Sequence, residues 1–102
     1  MDLHSDPVDY HQNYLFMLSL STKGKDYSDG GLFVRLDNKI IFLDDYASSG
    51  DLIIFKANIP HGVKNIDEKK IYKPLSFNGR WMVIFSTNKL INNKIIKNSI
   101  KV

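Results

Sequence analysis

Short apolar runs separated by turn-forming residues are the feature that most constrains the fold of this 102-residue chain. The runs are rich in Val, Ile, Leu and Phe, and most are too short to form a helix. They occupy residues 14–20, 32–36, 39–43, 52–55 and 81–85, and a sixth, shorter run ends the turn segment 57–63. The pattern predicts an all-β fold of about six strands.

The connections between these runs predict how the strands are arranged. Asp37-Asn38 separates two runs by a tight turn, so 32–36 and 39–43 should pair as an antiparallel hairpin. The run 52–55 is apolar on both faces, which is typical of a strand covered on both sides. Trp81 is expected in the core. Segments 22–31 and 44–51 are loops, and the lysine-rich segment 64–78 is a long polar excursion.

Composition excludes several classes of protein. The chain has no cysteine, so disulfides and thiolate metal sites are absent. It has no apolar run of about 18 residues and no signal-peptide pattern, so we expect a cytoplasmic protein that does not enter membranes. The net charge of +3 comes from scattered lysines without interleaved aromatic residues. We therefore expect no nucleic-acid partner.

Three side chains have the composition of a metal site. His4 and Asp6 stand two residues apart in an extended segment, so they point to the same side of it. His61 follows the apolar run 52–55, and two histidines with one carboxylate form the facial triad of non-haem Fe(II) oxygenases. Arg80, just before the last apolar run, would suit an anionic co-substrate. Each also has an ordinary alternative: a polar terminus, a turn histidine and a surface cation. His11 is a rival ligand.

The order of these residues carries a family resemblance. His4-x-Asp6, a strand, Gly30-Gly31, Gly50-Asp51, His61 and Gly79-Arg80 follow one another as in Fe(II)/2-oxoglutarate-dependent oxygenases. The chain resembles the prolyl-hydroxylase-like and phytanoyl-CoA dioxygenase-like branches most, over roughly residues 3–88. The resemblance implies that residues 1–88 form an incomplete double-stranded β-helix, a cupin-like jelly roll. Residues 89–102 would add a short C-terminal helix, a β extension or a frayed tail.

The resemblance also implies roles for single residues. His4, Asp6 and His61 would bind Fe(II), and Arg80 would bind the distal carboxylate of 2-oxoglutarate. The connection from His61 to Arg80 is longer than usual in the family, so Lys64 is a second candidate for the cation that binds 2-oxoglutarate. Three residues that follow the motif would face the cofactor: Tyr10, Gln12 and Tyr14. His11 would line the entrance. Dioxygen and a small-molecule substrate would be the partners in hydroxylation of an unactivated C–H bond.

Two other functions fit the same residues. The chain could be a non-catalytic cupin-like β module or an inactive remnant that acts in binding. It could also be a cupin that uses its metal without 2-oxoglutarate.

The resemblance further implies that strands are missing. The His-x-Asp motif ends the second of eight core strands in the family, and here it lies at residue 4. We therefore expect either a C-terminal portion of a longer enzyme or a homodimer in which a second copy completes the barrel by strand exchange.

Overall fold

The computed structural model shows an all-β protein in which each described pair of neighbouring strands is antiparallel. The structure describes residues 2–6, 13–71, 73, 75–85, 90–91, 94–95 and 100–101. No helix in this part of the chain is long and apolar enough to cross a membrane.

The described part of the chain forms ten strands. They are β1 (His4–Ser5), β2 (Tyr14–Ser19), β3 (Gly31–Leu36), β4 (Lys39–Phe42), β5 (Leu52–Lys56), β6 (His61–Lys64), β7 (Met82–Phe85), β8 (Leu90–Ile91), β9 (Lys94–Ile95) and β10 (Ile100–Lys101). A single 3₁₀ turn, Leu43–Asp45, follows β4 in the part that the structure describes.

The strands form two main antiparallel sheets. One has five strands in the order β10-β1-β6-β3-β4, and the other has three in the order β5-β2-β7. Strands β8 and β9 pair separately as a small hairpin. The chain changes sheet after β1, β2, β4, β5 and β6, so sequence neighbours in this region mostly lie in different sheets.

The pairings between the first six strands are nested around one turn. β3 pairs with β4, β2 with β5 and β1 with β6, all antiparallel. The turn at their centre is Asp37-Asn38, where both residues have positive φ, 48° and 63°. That geometry is the type I′ turn, whose twist matches the twist of the flanking strands. The arrangement is therefore one long hairpin folded over onto itself.

The core lies between the two sheets. Its buried members come from β2, β3, β5 and the residue after β5, and they are Leu15, Met17, Leu32, Val34, Phe55 and Ala57. Leu32 is completely buried. Because Leu15 and Met17 point inward, the alternate residues of β2 point outward.

The predicted hairpin 32–43 and the predicted strands are confirmed, but two expectations about position are wrong. The run 52–55 is not covered on both faces, since Leu52 and Ile54 are each about half exposed. Trp81 is 54% exposed and lies outside the core. The described residues of the tail 89–102 form the short strands β8, β9 and β10 and no helix, which fits the β extension.

Candidate metal centre

His4, Asp6 and His61 converge at one place in the five-stranded sheet. β1 and β6 are neighbours, with His4 directly opposite His61. Asp6 follows β1, and its carboxylate faces the Nε2 atoms of both imidazoles. Its Oδ1 is 3.7 Å from His4 Nε2, and its Oδ2 is 3.5 Å from His61 Nε2.

Backbone carbonyls fix the orientation of both imidazole rings. His4 Nδ1 lies 2.8 Å from the carbonyl oxygen of Asp2, and His61 Nδ1 lies 2.7 Å from that of Ile59. Since a carbonyl oxygen only accepts, each Nδ1 carries the hydrogen and donates it. A neutral ring then presents its lone pair at Nε2, on the side of Asp6. Such carbonyl partners orient metal-binding histidines in many proteins.

The three side chains are shielded from water to different degrees. His61 is 4% exposed, and its ring packs edge-on against Phe55 of the core, with centroids 5.0 Å apart. The His4 ring lies 4.4 Å from the His61 ring. The side chains of His4 and Asp6 keep slightly more contact with solvent. The cluster therefore lies at the edge of the core, accessible from one side.

Main-chain hydrogen bonds hold the segments that carry the cluster. The amide of Asp6 donates to the carbonyl of Ala57 at 2.9 Å. The amide of Arg35 donates to the carbonyl of Pro60, the residue before His61, at 2.8 Å. Both acceptor carbonyls lie in the turn between β5 and β6. This turn thus sets the position of Asp6 and His61 together.

The donor set fits a divalent transition metal. Two ligand atoms that each lie about 2.1 Å from one ion are at most about 4.2 Å apart. Both separations between Asp6 and the imidazoles fall within that limit. For all three ligand atoms together the bound is wider, 4.8 Å, so a shared ion would draw the side chains slightly closer. Two imidazoles and one carboxylate suit Fe(II) and leave further coordination positions for other ligands.

Arg80 is paired with a carboxylate of the chain itself. Its Nε donates to Asp44 Oδ2 at 2.5 Å and its Nη2 donates to Oδ1 at 3.1 Å, a bidentate ion pair. The Tyr27 hydroxyl also donates to Asp44 Oδ2. Both ends are buried, with side-chain exposures of 10% for Arg80 and 5% for Asp44. The Arg80 guanidinium, which the sequence predicted to bind an anionic co-substrate, therefore already binds the carboxylate of Asp44.

The ion pair shifts the protonation equilibria of all three residues. Burial alone would raise the pKa of Asp44, but the hydrogen bonds from Arg80 and Tyr27 outweigh it, so this pKa lies below its usual value. Burial opposes the charge of Arg80 in the same way, yet the bond to Asp44 raises the pKa of the guanidinium. Burial, and then the bond to Asp44, raise the pKa of Tyr27. All three groups therefore keep their usual protonation states at neutral pH.

The other predicted cofactor residues are not near the cluster or are not described. Tyr14 alternates with the buried Leu15, so it lies on the outer face of β2, beside Phe16 and 45% exposed. The Lys64 ammonium lies 3.8 Å from Asp29, at the surface. Three further candidates lie outside the described residues: Tyr10, His11 and Gln12.

Sequence reasoning missed Asp44 and Tyr27, which were assigned only to loops. The sequence contained one signal of the space that Asp44 needs, the glycine at position 31. Gly31 has φ of 105°, and a Cβ at this position would lie 2.2 Å from Asp44 Oδ2. A glycine at the start of β3 is thus required because the carboxylate of Asp44 occupies the space of a side chain.

A separate cleft in the described residues lies away from the cluster. It is formed by the loop 22–31 and the excursion 64–78, and Tyr27, Asn65, Asp67 and Lys70 line it. Asp67 joins the two segments by accepting hydrogen bonds from the amides of Ser28 and Asp29. The cleft shares no residue with His4, Asp6 and His61.

Comparisons of the chain with models of known protein families, with curated proteins and with solved structures found no match.

Proposed function

We propose that this chain carries the metal centre of an Fe(II)- and 2-oxoglutarate-dependent oxygenase. The observation that carries the proposal is the cluster itself: two imidazoles, each oriented through Nδ1, present Nε2 to one carboxylate within 3.7 Å. Bound Fe(II) would supply open coordination positions for dioxygen and a bidentate 2-oxo acid. The reaction would hydroxylate a C–H bond while 2-oxoglutarate is converted to succinate and CO₂.

We also propose that the two sheets belong to an incomplete double-stranded β-helix. A jelly roll is a long antiparallel hairpin rolled up into two sheets, so its strands pair in succession outward from the central turn. The nested pairs β1–β6, β2–β5 and β3–β4 agree with strands two to seven of such a roll, and β7 with the eighth. A first strand would then pair with the outer edge of β7, where the described residues provide no neighbour.

The residues of the chain have distinct tasks in this proposal. His4, Asp6 and His61 hold the ion and leave one side of it open. Phe55 excludes water from the buried side of His61. Arg80 is the cation for the distal carboxylate of 2-oxoglutarate, which requires an exchange with Asp44.

An anaerobic titration tests the proposal. Fe(II) followed by 2-oxoglutarate should produce a metal-to-ligand charge-transfer absorption band in the wild-type protein. The band should be lost in His61→Ala. His11→Ala is the matched control and should keep the band, because the proposed ligand set does not include His11. An unchanged band in His61→Ala, or its loss in His11→Ala, would show that the ligands are misassigned.

A second function is favoured by the ion pair of Arg80. If Asp44 never leaves the guanidinium, the same metal centre would work as a cupin without 2-oxoglutarate. Fe(II) would then bind and depend on His61, but 2-oxoglutarate would produce no band at any concentration. A non-catalytic β module would bind no Fe(II).

A further inference from the structure

The buried ion pair between Arg80 and Asp44 has the form of an occupied carboxylate site. Three donor atoms of two other residues converge on one carboxylate: Nε and Nη2 of Arg80 and the hydroxyl of Tyr27. The carboxylate also accepts a hydrogen bond from the backbone of Leu32. We call Arg80, Tyr27 and the Leu32 amide the carboxylate cradle.

Strand register gives a rough separation between the cradle and the metal cluster. On β3, Val34 is directly opposite His61, and the carboxylate of Asp44 contacts Gly31 and Leu32. Two to three residues of a strand span about 7 to 10 Å. A five-carbon dicarboxylate that chelates an ion at one end would place its other carboxylate roughly 7 Å from the ion.

The inner face of β7 is exposed toward the end of the strand. Ile84 of β7 is opposite Met17, whose side chain is buried in the core, so Ile84 points to the inner face of its sheet. It is nevertheless 55% exposed, whereas Met82, on the same face and nearer to Arg80, packs on the core. Arg80 Nη1 lies 3.1 Å from Met82 Sδ, so the cradle adjoins the covered end of this face.

We propose that Asp44 is an internal competitor for the carboxylate cradle, so that a dicarboxylate at the metal binds Arg80 only by displacing it. The proposal rests on the proposed function for the identity of the dicarboxylate, 2-oxoglutarate. The cradle itself does not depend on the metal. A bidentate pair of this kind is strong enough to lower the affinity for a competing carboxylate at least tenfold.

Asp44→Ala tests the cradle without metal. Removal of the carboxylate leaves Arg80 and Tyr27 buried without an anion, so acetate should raise the melting temperature of this variant, and equal concentrations of chloride should not. The wild-type protein should show no acetate effect beyond that of chloride. Asp45→Ala is the matched control, because Asp45 is the next residue, is half exposed and pairs with Lys23 instead. Equal responses to acetate and chloride in Asp44→Ala would overturn the proposal.

The charge-transfer band then tests the competition. In Fe(II)-loaded Asp44→Ala, the 2-oxoglutarate concentration for half of the maximal band should fall at least tenfold, with no change in Asp45→Ala. An unchanged concentration in a variant that forms the band overturns the competition but leaves the proposed function intact. Absence of Fe(II) binding in every variant refutes the proposed function, while the acetate experiment still decides on the cradle.

If Asp44→Ala does not fold, the wild-type protein still provides a measurement. The Nε–H resonance of Arg80 in a nitrogen-edited NMR spectrum reports on its hydrogen bond to Asp44. Addition of 2-oxoglutarate to the diamagnetic Zn(II)-loaded protein should shift this resonance. A resonance that stays unchanged while the signals of His61 respond would overturn the proposal.

Discussion

At the scale of single residues, the carboxylates of Asp6 and Asp44 differ in how their negative charges are balanced. Asp6 faces two imidazoles that are neutral when they bind a metal, so the ion itself would supply the balancing positive charge. Asp44 already has a permanent cation in Arg80. The first arrangement suits a ligand site, and the second contributes to the fold.

Asp44→Asn should lower the free energy of unfolding at pH 7 by about 3 to 5 kcal/mol, because it leaves Arg80 buried without its counter-ion. The pKa of Asp44 is lowered in the folded state, so its stabilisation is complete above the unfolded pKa, near 4. It is lost as the pH falls through the folded pKa. Urea unfolding at pH 7 and pH 3 should therefore show a smaller difference between variant and wild type at pH 3. A difference independent of pH would contradict the ion pair.

At the scale of elements, the strands follow from local sequence, whereas the covering of their faces does not. Alternation in 14–20 and 32–36 fixes the strands and their period of two. The run 52–55 has apolar residues on both faces, and only the tertiary structure shows that Leu52 and Ile54 face outward. Trp81 was misplaced for the same reason: hydrophobicity favours burial but does not decide which face is covered.

The central turn provides a test of how the hairpin is closed. Asn38 has φ of 63°, which most L-residues avoid, so Asn38→Val should destabilise the protein by about 1 to 2 kcal/mol. Asn38→Gly should be tolerated. Asn58→Val is the matched control, because Asn58 lies in an exposed turn without positive φ. Chemical denaturation compares the three variants, and equal losses in Asn38→Val and Asn58→Val would argue against a type I′ turn.

At the scale of the whole molecule, the candidate metal site joins parts of the chain that are far apart in sequence. The facial-triad composition of His4, Asp6 and His61 could be read from residue types and their order. The pairing of Arg80 with Asp44 could not, because 36 residues separate them and neither lies in a strand whose register the sequence defines. Polar contacts between loops depend on how the sheets pack, which local patterns do not encode.

Since the ion would connect residues 4–6 to residue 61, its binding should stabilise the fold. At a free concentration of 100 times Kd, a divalent metal adds about 2.7 kcal/mol, which is about 10 °C or more in Tm for a domain of this size. His61→Ala should lose the metal-dependent increase. Leu32→Ala should cost about 2 to 5 kcal/mol of stability yet keep that increase, because Leu32 belongs to the core and not to the site. Differential scanning calorimetry with and without metal separates the two effects.

The ligand environment of the ion itself tests the central claim most directly. Iron K-edge X-ray absorption on anaerobic protein loaded with one equivalent of Fe(II) measures the number and type of ligands. We expect nitrogen and oxygen ligands at about 2.1 Å with the outer-shell scattering of two imidazole rings, reduced to one ring in His61→Ala. A spectrum without imidazole scattering, or one that His61→Ala leaves unchanged, would contradict a metal centre formed by His4, Asp6 and His61.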